Sequence, residues 1–222
     1  MNRLPSLVRQ HIAALRAILV FTVICGIVYP VVMWGVAQAG FKNQANGSLV
    51  SYNGKTVGSS LLCQEFVNSK GDPLAQYFQP RPSAAANPTV SSTGKTDYGC
   101  DAGFSGAANL GPNSAELTQT VKQLQQQIAA FDHVKVSQIP PDAVTSSGSG
   151  LDPDISPANA AIQVDRVATT RHLPVSEVQS LVAKNTHGRA LGFLGEPAVD
   201  VLTLNIALNQ LPGQARYATA GA

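Results

Sequence analysis

Two Gly-Lys-Thr triplets, Gly54-Lys55-Thr56 and Gly94-Lys95-Thr96, are the first candidates for chemistry. A phosphate-cradling loop needs a further Gly five residues before the Gly of that triplet. Those positions hold Leu49 and Thr89, so neither triplet makes the cradle. Ser92-Thr93-Gly94-Lys95 matches the S-x-x-K of acylating serine enzymes, but the companion S-D-N and K-T-G motifs are missing. Ser149 has Gly on both sides at the wrong spacing for a nucleophile elbow. Asp152, Asp154 and Ser156 sit like positions 1, 3 and 5 of a calcium loop. Pro157 then stands where Gly is needed and Gln163 where Glu is needed, so the acids read as turn and helix caps. His11, His133, His172 and His187 lack metal-ligand spacing. The residues offer no catalytic set and no metal set.

The elements that would position any site begin with a membrane anchor. Residues 1–42 carry Arg3, Arg9, Arg16 and Lys42 and no acid; the rest of the 222-residue chain carries 11 bases and all 13 acids. Ala17 to Phe41 is an uncharged run long enough for a transmembrane helix. The preceding arginines put the N-terminus in the cytoplasm by the positive-inside rule. Pro30 should kink the span. Ala37-Gln38-Ala39 resembles a signal-peptide cleavage site, so a cleaved leader is the rival reading; both send the remainder out of the cytoplasm. A net charge of +2 argues against a nucleic-acid partner. Cys63 and Cys100 are the only cysteines beyond the span; they read as a disulfide of an exported domain or as two free thiols.

The exported part reads as mixed α and β. Asn53-Gly54 marks a hairpin. Residues 68–108, rich in Ser, Gly, Ala, Asn and Pro, read as a long loop region. Asn113 and Glu116 resemble a capping box, followed by an apolar helical stripe of Leu117, Val121, Leu124, Ile128 and Phe131. Residues 140–150 read as a loop. Ser156-Pro157 opens a helix to about Arg171-His172 that buries Ile162, Val164 or Val167. Pro174 opens another through Val178, Leu181 and Val182, ending at 185–188. Residues 199–211 fit either a strand or a helix, and Asp200 as N-cap favours the helix. The expected fold class is a membrane-anchored α/β (α+β) protein. It has a cytoplasmic tail at 1–16, a transmembrane helix at 17–41, a mixed α/β extracytoplasmic domain at 42–211 and a C-terminal tail at 212–222.

Four segments carry a resemblance to a known family: residues 77–84 (YFQPRPSA), 105–112 (SGAANLGP), 144–157 (VTSSGSGLDPDISP), and 188–197 (GRALGFLGEP) with 199–208. With the anchor, their order and spacing resemble KdpC, a subunit of the Kdp potassium pump, over residues 10–211. The resemblance implies an accessory subunit of a high-affinity, ATP-driven potassium uptake complex, needed for assembly and activity. Its partners would be the channel-like KdpA, the phosphorylated ATPase KdpB, the small KdpF and the lipid bilayer. The family is described as a catalytic chaperone that raises the ATP affinity of KdpB. ATP and potassium would then be met through the complex, with no cofactor held directly. The chain lacks the Asp-Lys-Thr-Gly-Thr phosphorylation motif of a P-type ATPase, so it is not the phosphorylated subunit. The N-in topology leaves about 16 residues on the ATP side, so any nucleotide effect is expected to be indirect or to use detached protein.

The chain departs from the family pattern in four places. Cys63 stands for a usual Gly, Asp154 for a common His and His187 for a usual Glu, and residues 88–104 are lengthened. The candidate partner-interface or ion-path residues are Arg81 (between Pro80 and Pro82), Asn109, Ser147, Ser149, Asp152, Asp154, Arg189 and Glu196, with Cys63 and Cys100 as candidate disulfide. Against these stand the plain reading that the Gly and Pro residues set turns, a membrane-anchored binding module with an unrelated ligand, and a secreted hydrolase using Ser149 or Ser105.

Overall fold

The structure is a computed structural model that describes residues 5–69, 71–85 and 100–214. It divides into two units, Met1–Ser48 and Leu49–Ala222.

The first unit is helical. Helix α1 (Ser6–Val23) passes through a π-turn at Ile24–Val28 into α2 (Tyr29–Gly40), and a short α3 (Lys42–Ala45) follows. The Ser6–Gly40 helix is long and apolar enough to cross a membrane, its most apolar 18-residue stretch having a mean hydropathy of 2.4. The helix starts well before the uncharged run, because Arg9 and Arg16 are good helix formers that do not interrupt it. Pro30 has no N–H to give. The turn ahead of it widens, and the Tyr29 N–H donates to Ile24 O, five residues back. A π-turn thus precedes Pro30, the kind of irregularity at which helices kink.

The second unit carries the sheets and the core. Strands β1 (Leu49–Tyr52) and β2 (Lys55–Ser59) form the hairpin, turning on Asn53 and Gly54, both at positive φ. Ser114, one residue after the expected cap, caps α4 (Ala115–Asp132): its side chain accepts from the Leu117 N–H. Leu124 and Ile128 of the expected stripe are buried with Ala143 and Val144. Strands β3 (Asp154–Ile155), β4 (Thr186–His187) and β5 (Ala198–Asp200) make a second antiparallel sheet in the order β3-β5-β4. Ser156 caps α5 (Pro157–Arg171), which buries Val164 and Val167. Helix α6 (Val175–Lys184) supplies Val178 and Val182. Residues 199–211 divide: Val199 and Asp200 end β5, and α7 (Val201–Gln210) follows at once. The Asp200 carboxylate accepts from the Thr203 N–H at 2.6 Å.

The expected loop at 68–108 is irregular in its described parts, yet it threads the core. Tyr77 and Phe78 are fully buried beside Val167, Val199, Leu204 and Leu208. A buried backbone without a ladder needs other partners. Side chains of α5 and α7 provide them. The Phe78 N–H donates to Asn205 Oδ1 and Asn205 Nδ2 returns a bond to Phe78 O, both at 2.9 Å. Gln163 makes the same two-way bond to Gln79. Arg166 donates to the carbonyls of Ala75 and Tyr77, and Arg171 to that of Gln76.

Candidate functional site

Most of the candidate residues meet on one loop. Arg81 Nη1 donates to Asp152 Oδ2 at 2.7 Å, while Nε and Nη2 donate to Thr145 O. One side chain thus holds both ends of the 145–152 loop. Pro80 and Pro82 fix the backbone that presents it. The Ser147 hydroxyl accepts from the Gly150 N–H, and the Ser149 hydroxyl from the Leu151 N–H, each closing a turn within the loop. The loop carbonyls point outward to other segments. Ser149 O accepts from Gly106 N and Ser105 Oγ, Gly150 O from Ser83 Oγ, and Leu151 O from Cys63 N. Three stretches distant in sequence are thereby tied to it.

Gly150 is the residue that permits this closeness. Its φ is +72°, and a Cβ there would lie 2.6 Å from Ala85 Cβ and 2.7 Å from Gly106 O. The Cys63–Cys100 disulfide, with Cα atoms 5.9 Å apart, joins the same region: Cys63 Sγ lies 3.4 Å from Gly150 O. Both candidate serine hydroxyls face backbone, and Asp152 is engaged by Arg81. The arrangement braces loops, and its polar groups are occupied in doing so.

Asp154 differs from Asp152. Burial pushes its carboxyl above the usual range, and the nearby Asp200 and Asp152 push the same way, while His187 opposes them. Its Cα partner across the sheet is Asp200, which caps α7. Among the described residues no group of three His, Cys, Asp or Glu could hold a metal ion.

Asn109 makes no bond to Arg81; it sits at positive φ, with its Nδ2 on Ala107 O. It lines an open groove of about 540 Å³ that also includes Ser147, Thr145, Pro82 and Leu117. Arg189 and Glu196 pair with each other at 2.6 Å, both exposed, across a turn closed by the Ala190–Leu194 bridge. Leu191, Phe193 and Leu194 of that turn are exposed.

The residues missed in the sequence are the buried polar face of α5. Asn159, Gln163 and Arg166 follow at spacings of four and three. They form one chain from Asp142, through Asn159 and Gln163, to Arg166 and the Asp132 carboxylate at 2.7 Å. Arg166 also covers the Phe131 ring at 4.3 Å. Burial raises the Asp132 carboxyl and Arg166 draws it back down. The visible signal was a polar stripe adjoining Ala160, Val164 and Val167 on the same helix.

A family model described as KdpC, K+-transporting ATPase, c chain, matches residues 11–210. Three relatives are each named potassium-transporting ATPase KdpC subunit. That of Streptomyces avermitilis is 46% identical, covering 95% of this chain and 97% of its own. That of Kineococcus radiotolerans is 45% identical over 92% and 95%. That of Mycobacterium tuberculosis is 43% identical over 91% and 99%.

Proposed function

The chain belongs to the KdpC family, the c chain of the K+-transporting ATPase, and on that premise we propose how it serves the complex. It is an accessory, non-catalytic subunit needed for assembly and activity of an ATP-driven potassium uptake system. Its helix spans the membrane with the N-terminus in the cytoplasm and the 49–214 unit outside. Its partners are the channel-like KdpA, the ATP-hydrolysing KdpB, the small KdpF and the bilayer. It raises the ATP affinity of KdpB indirectly, through the assembled complex.

The observation that carries this reading is the Ser6–Gly40 helix, apolar from Ala17 onward and carrying its two bases, Arg9 and Arg16, toward its N-terminal end. The positive-inside rule gives it an orientation. The Arg81-braced loop and the Arg189–Glu196 turn are the surfaces that meet KdpA.

The test is co-expression with KdpA, KdpB and KdpF, capture on a tag of this chain in mild detergent, and a potassium-stimulated ATPase assay of what elutes. All four subunits should co-elute, and complexes lacking this chain should need more ATP for half-maximal rate. Arg81→Ala removes a partly buried, charge-assisted brace, at a cost of about 1–2 kcal/mol in stability. At a temperature where that variant stays folded, co-elution should still fall. Full recovery of the complex with Arg81→Ala would remove Arg81 from the interface; failure of the native chain to co-elute would remove the proposal.

A further inference from the structure

A cavity of about 370 Å³ opens between the β1–β2 hairpin, the Gln64–Phe66 stretch and α7. Its wall is apolar: Val57, Phe66, Leu202, Ile206 and the ring of Tyr77, which lies 4.9 Å from that of Phe66. Two amides within it, those of Asn205 and Asn209, are already engaged. Asn205 holds the Phe78 backbone, and Asn209 meets Arg171 and the Tyr77 hydroxyl.

The lining carries four further polar side chains. Tyr52, Lys55, Thr56 and Gln64 have no side-chain hydrogen bond or ion pair among the described residues. Among the described residues Lys55 is the only charged one lining the cavity, and no carboxylate among them lines it. A ligand therefore meets one cation with hydrogen-bonding groups beside it, and an apolar wall. The volume equals about a dozen water-sized groups, room for a medium-length hydrocarbon chain. In sequence, β1 begins nine residues after the apolar helix ends, so the hairpin belongs to a chain that carries its own membrane segment.

We propose that this cavity binds a single-chain anionic lipid, its acyl chain against Phe66, Leu202 and Ile206 and its head on Lys55. The wall gains by burying hydrocarbon, and the head forms the ion pair that Lys55 lacks among the described residues. The site stands apart from the Arg81 loop and does not depend on its role.

The test uses the full chain in phosphatidylcholine nanodiscs, a photoactivatable laurate, and peptide mapping after photolysis. Label should appear on residues 52–66 and 202–209 in addition to the apolar helix. Excess laurate and lauroyl lysophosphatidylglycerol should remove the cavity label; dodecyltrimethylammonium should not. Lys55 is exposed, so Lys55→Glu should keep the fold and lower the cavity label about fivefold, the scale of one lost exposed ion pair, while Lys55→Arg retains it. Ile206→Trp, which fills the cavity, should abolish the label in protein that still unfolds cooperatively. Label confined to Ser6–Gly40 would overturn the proposal. So would equal competition by the cationic detergent, an unchanged yield in Lys55→Glu, or displacement by ATP in place of laurate.

Discussion

Gly150→Ala is the sharpest test of the braced loop. The added methyl would lie 2.6 Å from Ala85 Cβ, 2.7 Å from Gly106 O and 2.7 Å from Ser83 Oγ. Two of these neighbours are backbone or Cβ atoms and cannot swing aside. The third, Ser83 Oγ, donates to Gly150 O at 2.7 Å and cannot leave without breaking that bond. The φ of +72° adds a second cost. Left-handed backbone costs an alanine about 1 kcal/mol or more, and overpacking about 1–3 kcal/mol. The sum, about 2–4 kcal/mol, is a large share of the roughly 5–15 kcal/mol that holds a domain folded. Gly148, two residues earlier, is the control: nothing lies within 4 Å of its added Cβ and its φ is not positive. Gly148→Ala should be neutral or stabilise by up to about 1 kcal/mol, by restricting the unfolded chain. Urea unfolding of both variants and the native chain in detergent, followed by circular dichroism, gives the comparison. A Gly150→Ala cost under about 1 kcal/mol, or an equal cost at Gly148, would refute the close packing argued for this loop.

Three further outcomes follow from the buried pair, the disulfide and the shifted acid. Arg166→Met strips the Asp132 carboxylate of its partner in a site about 5% exposed, and breaking such a pair costs about 3–5 kcal/mol. Asp132 already titrates high, and the loss of Arg166 raises it further, so the penalty should shrink as pH falls and the carboxyl protonates; urea unfolding at neutral and acid pH measures this. Reducing Cys63–Cys100, 37 residues apart, should cost about 4 kcal/mol by the chain-entropy account, and denatured, unreduced protein should show only the Cys25 thiol on thiol counting. Asp154 has a raised folded-state pKa, so the folded state favours its protonated form, and stability is lost as pH rises through that pKa. Asp154→Asn should therefore raise the Tm at neutral pH and change it less in acid, by thermal scans across the two.

The local signals read well where a few neighbouring residues settle the matter. Asn53-Gly54 dictates the hairpin, because two consecutive positive φ values suit few other pairs. Ser156-Pro157 starts α5 and Asp200 starts α7, because one side-chain oxygen meets one orphan N–H. The cap of α4 moved by one residue for the same local reason: the Ser114 hydroxyl reaches the Leu117 N–H. Residues 68–108 were harder. Their composition says loop, and the described parts are irregular, but Tyr77 and Phe78 are core. What permits that is Asn205, more than a hundred residues away, and no local pattern reveals such a partner.

By itself the sequence determined the apolar helix, the placement of charge around it and the order of the motifs that resemble KdpC. Each of these is a one-dimensional property: hydrocarbon length, net charge per segment, spacing. The tertiary structure alone decided what the motifs do. Arg81 and Asp152 are 71 residues apart and read as a cation presented between two prolines and an acid capping a turn; folding makes them one brace. Gln163 and Arg166 carry no local sign of burial, and the fold buries them as the partners of a backbone that has no strand beside it, with Asn159 bonded to Gln163. A polar side chain looks the same in sequence whether water or a distant carbonyl satisfies it. Only the packing of α5 and α7 against residues 75–79 settles which one does.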